Sequence, residues 1–142
     1  MQPWDESSDQ VSQITPNKEL ARSLLRLIAL REKDVAAKDP VLAPLIIEDY
    51  YEIIKELITA LLSIDGFKTL SHELLIGYLS RFYKQFSSYE IHLIDQLRKT
   101  RHDLTYRGIM APSDYLPRNK NEILSVIEKL KKIVIDKLGD KL

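Results

Sequence analysis

The sequence predicts an all-α protein, an antiparallel bundle of about five helices, and three observations carry that expectation. Apolar residues recur at i, i+3, i+4 and i+7 over long stretches, the period of a helix with one buried face. Each stretch is bounded by proline, glycine, serine or asparagine at places where helices start or stop. No segment shows sustained strand alternation between turn signals, and no internal repeat or low-complexity tract interrupts the pattern. The connections are short, so neighbouring helices run antiparallel.

Residues 1 to 16 carry two prolines and many polar groups and read as a loose arm, with Trp4 the residue to dock. The bundle is expected over residues 17 to 142. Pro16-Asn17 starts a first helix running to about Lys38, with Leu20, Leu24, Leu27 and Ile28 as its stripe, and Asp39-Pro40 ends it because the residue before proline avoids helical dihedrals. A second helix runs from about Val41 to Ile64. Pro44 fits its first turn, where a missing amide donor costs little. Ile46, Tyr50, Ile53, Ile54, Leu57, Ile58 and Leu61 fill one face, and Glu48, Asp49, Glu52, Lys55 and Glu56 the other. Gly66 is its left-handed cap. Ser71 caps a third helix, from about His72 to Phe86, with Glu73 near its positive end. Ser87-Ser88 breaks the chain and caps a fourth helix reaching about Thr105 and stopped by Gly108. Residues 109 to 117 form a connecting loop. The fifth helix runs from about Pro117 to Leu138, with Ile123, Leu124, Ile127, Leu130, Val134 and Leu138 inward, and Gly139 stops it.

A chain of 142 residues is one ordinary domain. Folding at that size buries about two-thirds of the unfolded surface, enough to need no metal or disulfide staple. The absence of cysteine excludes disulfides, thiolate metal sites and Cys nucleophiles. The three histidines, His72, His92 and His102, form no His-x-x-x-His pair, so neither a metal nor another cofactor is expected. Twenty-one basic residues balance twenty-one acidic ones, which argues against non-specific wrapping of long nucleic acid but leaves room for a local basic patch. The apolar runs are too short and too often interrupted by charge to span a membrane. The acidic, polar N-terminus does not read as a signal peptide, so a cytoplasmic protein is expected. Lys129, Lys131, Lys132 and Lys137 on the fifth helix, and Arg22, Arg26 and Arg31 on the first, read as solvated faces.

The chemistry gathers near the end of the fourth helix, in Arg98-Lys-Thr-Arg101-His102-Asp103-Leu-Thr-Tyr106-Arg107-Gly108. At about 100° per residue, Leu93, Ile94, Leu97 and Leu104 share one stripe, and Arg101 falls in its middle. A guanidinium keeps its proton, and burying it unpaired is costly. Arg101 therefore snorkels, pairs with an acid, or sits in a polar cleft where helical surfaces meet. Asp95, Arg98, His102 and Tyr106 lie on the adjoining face.

These residues resemble a known family. Five helices of these lengths, with Arg-x-x-Arg-His-x-x-x-Tyr closing the fourth, are similar to the HEPN superfamily of small helical domains over roughly residues 17 to 138. Asp49-Tyr50-Tyr51-Glu52 through Ala60-Leu61-Leu62, and Gly66 through Leu75, resemble its stand-alone prokaryotic members. The resemblance implies a homodimeric bundle whose two copies face each other across a cleft. It implies a metal-independent endoribonuclease site in which Arg101 matches the motif arginine and His102 the polar residue after it. Where the family's histidine falls, this chain has Tyr106. Cleavage by the ribose 2′-hydroxyl needs a proton acceptor and a donor near neutrality; tyrosine, ionising near pH 10, is a poor base. Other members pair with minimal nucleotidyltransferases as toxin–antitoxin couples or bind nucleotides.

Two readings follow for each residue. Arg101 is a bidentate phosphate clamp or a structural ion pair with Glu52 or Glu56. His102 is an acid–base group or a surface histidine stacked on Tyr106 one turn later. Tyr106 positions substrate or seals a dimer seam. Arg98 and Asp95 would line the substrate side. His72 reads first as a first-turn surface residue, with lining of the cleft as its lesser reading, and His92 as solvent-facing; Tyr50, Tyr51, Tyr78, Phe82, Tyr83 and Phe86 read as core or seam. The whole-chain readings are an HEPN-like protein binding RNA or nucleotides as a degenerate endoribonuclease of a toxin–antitoxin system, a non-catalytic dimeric module partnering a minimal nucleotidyltransferase, or a structural helical dimer with no ligand site.

Overall fold

The computed structural model describes residues 1–139, so the last three positions of the expected bundle lie outside the described residues. A short strand, β1 (Val11–Gln13), precedes the first helix, α1 (Lys18–Ala36). Asn17 starts α1 by accepting the Leu20 amide at 2.9 Å, which satisfies one of the helix's orphan donors. A single 3₁₀ turn over Pro40–Leu42 follows, capped by Asp39, whose carboxylate accepts the Val41 amide at 2.9 Å. It leads into α2 (Ala43–Asp65), with Pro44 in the first turn. Gly66 closes α2 at φ 91°, a left-handed conformation that a side chain would strain. A second strand, β2 (Phe67–Thr69), comes next, then α3 (His72–Phe82), α4 (Ser88–Arg107) and α5 (Tyr115–Leu138). Ser71 accepts the Leu74 amide, and Ser87 with Glu90 forms a full capping box at the start of α4.

The all-α expectation holds, with five helices among the described residues and one small sheet. The sheet corrects the reading that no strand is present: β1 pairs antiparallel with β2, Val11 opposite Thr69 and Gln13 opposite Phe67. Three residues are too few for alternation to register as a pattern. The arm is accordingly docked. Trp4 is 4% exposed and lies edge-on to Tyr78 and Phe67, with centroids 4.7 and 5.5 Å away. α3 ends at Phe82 rather than Phe86, because Tyr83 leaves the helix and donates its hydroxyl to Asp65 at 2.6 Å. α5 begins two residues earlier than Pro117, which then sits in its first turn.

α2 is the central post, packed on α1, α5, α4, α3 and β2. From Ile53 to Ser63 nearly every side chain is buried, Glu56 included. This corrects the placement of Glu56 on a polar face: Arg31 of α1 reaches its carboxylate at 2.5 Å. Burial raises the Glu56 pKa, and the Arg31 hydrogen bond only partly opposes it. α1 buries Ala21, Ile28 and Val35, a narrower seam than its sequence stripe, leaving Leu20 and Leu27 each about two-fifths exposed. Leu124 of α5 is likewise exposed. The lysines of α5 expected in solvent pin helices together. Lys129 donates to Glu90 at 2.8 Å, Lys131 pairs with Glu32 at 3.1 Å, and Lys137 reaches Asp65 and the Tyr83 hydroxyl; Lys132 alone is fully solvated. No described helix is long and apolar enough to cross a membrane.

Candidate functional site

The site is built by three helices. α2 supplies Tyr51, the first turn of α3 supplies His72 and Glu73, and the second half of α4 supplies Asp95, Arg98, Arg101, His102 and Tyr106. The capping box fixes where α4 starts, and its apolar residues Leu93, Ile94 and Leu97 are buried against the bundle. One turn further on, the same stripe carries Arg101 to the bundle's edge, where it is half-buried.

The ion pair with Glu52 or Glu56, one reading of Arg101, is not formed. Among the described residues Arg101 makes no ion pair, because the two acids proposed for it are taken: Glu52 holds Lys55 and Glu56 holds Arg31. Its guanidinium carbon lies 5.9 Å from the Tyr51 ring centroid and 5.8 Å from that of Tyr106. Aromatic faces attract a cation without neutralising it, so the charge and the fork of donors remain available. Arg98 is different. It donates to Asp95 at 3.0 Å and pairs with Glu73 at 3.4 Å. The other Asp95 oxygen faces Lys99 at 3.3 Å. Burial pushes the Asp95 carboxyl up, but the hydrogen bonds and charges of Arg98 and Lys99 outweigh this and hold it below the usual range. Asp95 thus has both oxygens engaged and serves to position Arg98.

His102 is exposed, its ring centroid 4.9 Å from that of Tyr106 one turn later, the two planes tilted by 46° rather than stacked. With Arg98, Lys99 and Asp103 it borders a shallow depression of about 240 Å³. Tyr106 is 68% exposed. Arg101 and Tyr106 are therefore in contact, and His102 and Tyr106 are in contact, while Arg98 borders the depression beside His102 with its guanidinium engaged by the acids of α3 and α4.

Two residues of the cluster fall outside the main sequence reading of the site. Tyr51, 2% exposed, lies beneath Arg101, and its hydroxyl shares a 2.8 Å hydrogen bond with Nδ1 of His72. His72 is half-buried rather than a free surface residue. Burial pushes the Tyr51 hydroxyl pKa well up, with Arg98 and Arg101 only partly opposing, so it stays protonated. Burial, then the charges of Lys55 and Arg101, lower the His72 pKa. His72 also stands at one end of a groove of about 630 Å³ that runs between α1, α2 and β2, near Glu52 and Lys55. Among the described residues no three His, Asp or Glu side chains cluster as metal ligands would.

Compared with protein-family models, with curated proteins and with solved structures, the chain matches none.

Proposed function

We propose that this chain is an HEPN-like cytoplasmic protein that binds RNA or nucleotides through their phosphates at Arg101, with any metal-independent endoribonuclease activity degenerate. One observation carries this reading: a half-buried arginine, set on two tyrosine faces, with no carboxylate among the described residues to neutralise it. The other partly buried arginines of this site and of the α1–α2 contact, Arg98 and Arg31, end on acids. A guanidinium held by aromatic rings keeps its planar fork for phosphate oxygens. In a cleavage reaction Arg101 would stabilise charge on the phosphate, His102 would move a proton, and Tyr106 would hold the substrate. Labelled RNA titrated in chelator at low salt is the test. Charge-assisted hydrogen bonds contribute about 1.5–3 kcal/mol, so Arg101→Ala should weaken binding at least tenfold. Equal binding by that variant would remove the site, and absence of binding at low salt would remove the function.

A second reading, a dimeric interaction module that partners a minimal nucleotidyltransferase in a toxin–antitoxin couple, is favoured by a different observation. Tyr106, Ile109 and Met110 are exposed together where α4 ends, an apolar edge suited to a seam. Copurification with such an enzyme, with no RNA binding, would favour it.

A further inference from the structure

The Arg101 cluster contains a histidine that the α4 motif does not include. We propose that His72 is part of the phosphate site and takes up a proton when a phosphodiester ligand binds there. This inference rests on the reading of Arg101 as a phosphate-binding residue.

The geometry is specific. His72 sits in the first turn of α3, and its ring is tilted 31° against Tyr51 with centroids 5.6 Å apart. The Tyr51 ring that carries Arg101 is therefore the ring whose hydroxyl holds His72. Nδ1 is occupied by that hydroxyl. Nε2 has no partner among the described residues and is not sealed from solvent, since His72 lines the groove beside Glu52 and Lys55. Such an imidazole has one nitrogen anchored beside the Arg101-bearing ring and the other open to the groove.

The charges around it set the direction of the proton. α2 presents Lys55, Glu52 and the Arg31-bound Glu56; α4 presents Arg98 and Arg101, with Asp95 behind Arg98; β2 presents Lys68 at the groove; α3 itself contributes Glu73. Burial, then Lys55 and Arg101, work against the imidazolium in the free protein, and Glu52 only partly opposes them. A phosphodiester seated on Arg101 brings a fixed negative charge into this field and cancels part of the repulsion. The imidazole then takes up a proton and, as imidazolium with both ring nitrogens donating, hydrogen-bonds a phosphate oxygen from Nε2. Nδ1–H donates to the Tyr51 oxygen, which stays a neutral hydroxyl able to accept. One proton comes from buffer and no bond is broken.

The probe is a short 2′-O-methyl oligoadenylate without terminal phosphate. It cannot be cleaved by its own 2′-hydroxyl, and its diesters do not titrate near neutrality. Calorimetry at pH 7 in buffers of different ionisation enthalpy should find uptake of up to about one proton per site, and affinity should fall by up to about tenfold per pH unit above neutrality. His72→Gln should bind more weakly without proton uptake, whereas His102→Gln should keep the uptake. In the unsubstituted protein, the ring nitrogens of His72 should move to imidazolium shifts on addition of the probe, a readout that survives if the variant fails to fold. Binding that needs Arg101 but takes up no proton, or whose uptake is lost with His102 instead, would overturn this inference and leave the phosphate-site reading standing. No binding at all would overturn both.

Discussion

Tyr106 exposes most of its ring and touches both Arg101 and His102, so its chemistry can be changed with little cost to packing. Tyr106→His places a group that ionises near neutrality beside the arginine. General acid–base groups contribute about 10²–10⁴-fold in rate, and this variant should raise RNA cleavage in chelator toward that range while leaving the melting temperature unchanged. Robust cleavage by the natural protein that is indifferent to Arg101→Ala would show that other residues do the chemistry. His72 carries a stability signature of its own. Its folded pKa lies below the ordinary value near 6.5, so the unfolded chain binds its proton first as pH falls. The neutral ring's contribution is complete above about pH 6.5 and is lost as pH falls through the folded value. Denaturant midpoints from pH 8 to 5 should therefore decline less steeply in His72→Gln. Glu56 behaves as a buried acid kept in place by one cation. Arg31→Ala should destabilise by about 1 kcal/mol, a discounted figure because Arg31 is itself over one-third exposed. Much of the site was legible in the sequence because Arg98, Arg101, His102 and Tyr106 lie within three turns of one helix. The pairing of Tyr51 with His72 was not, since they are 21 positions apart on different helices and no local period relates them.

Capping residues were the best-read features, although α3 ends four residues and α5 starts two residues earlier than read. Asn17, Ser71 and Ser87 all cap as their residue types predict, and Gly66, Gly108 and Gly139 all follow a helix. Ser87→Ala removes one half of the α4 capping box and should cost about 1 kcal/mol, read as a lower denaturant midpoint. The inward faces were read less well, because periodicity states which residues are apolar and not how many neighbours a helix has. α2 is enclosed on nearly every side, so its polar face came out buried at Glu56, whereas α1 is enclosed on one side and leaves leucines outside. The lysines of α5 looked like solvated ornament for the related reason that their acids belong to other helices. Docking of the arm at Trp4 was legible, but its strand pairing was invisible for want of length. Gly77 is the arm's mark in α3: a Cβ there would stand 2.5 Å from the Gln2 carbonyl oxygen and 3.0 Å from the Trp4 amide nitrogen. Gly77→Ala should push the arm off, costing about 1–3 kcal/mol as overpacking does. Trp4 is the protein's one tryptophan, so its emission should shift to the red while the far-ultraviolet helix signal holds.

At the level of the whole molecule, a homodimer is expected, with α4 near its seam. Sedimentation that finds a monomer at tens of micromolar, where interfaces of ordinary size are populated, would count against it. The pairing of β1 with β2 has a consequence for the order in which the chain assembles. Thr69 of β2 donates its hydroxyl to the Gln10 carbonyl, a contact between residues 59 positions apart. Closing a loop of that length directly is entropically costly. Yet β1 leads into α1 and β2 follows α2, and those two helices pack on each other along their length. Once that helical hairpin has formed, the strand ends already lie side by side, and the clasp closes over a short gap. The clasp should therefore be absent from the rate-limiting ensemble. Substitutions such as Val11→Ala should leave the refolding rate nearly unchanged and appear almost wholly as faster unfolding, with φ-values near zero, while Ile28→Val on the buried face of α1 or Leu57→Ala in the core of α2 should slow refolding.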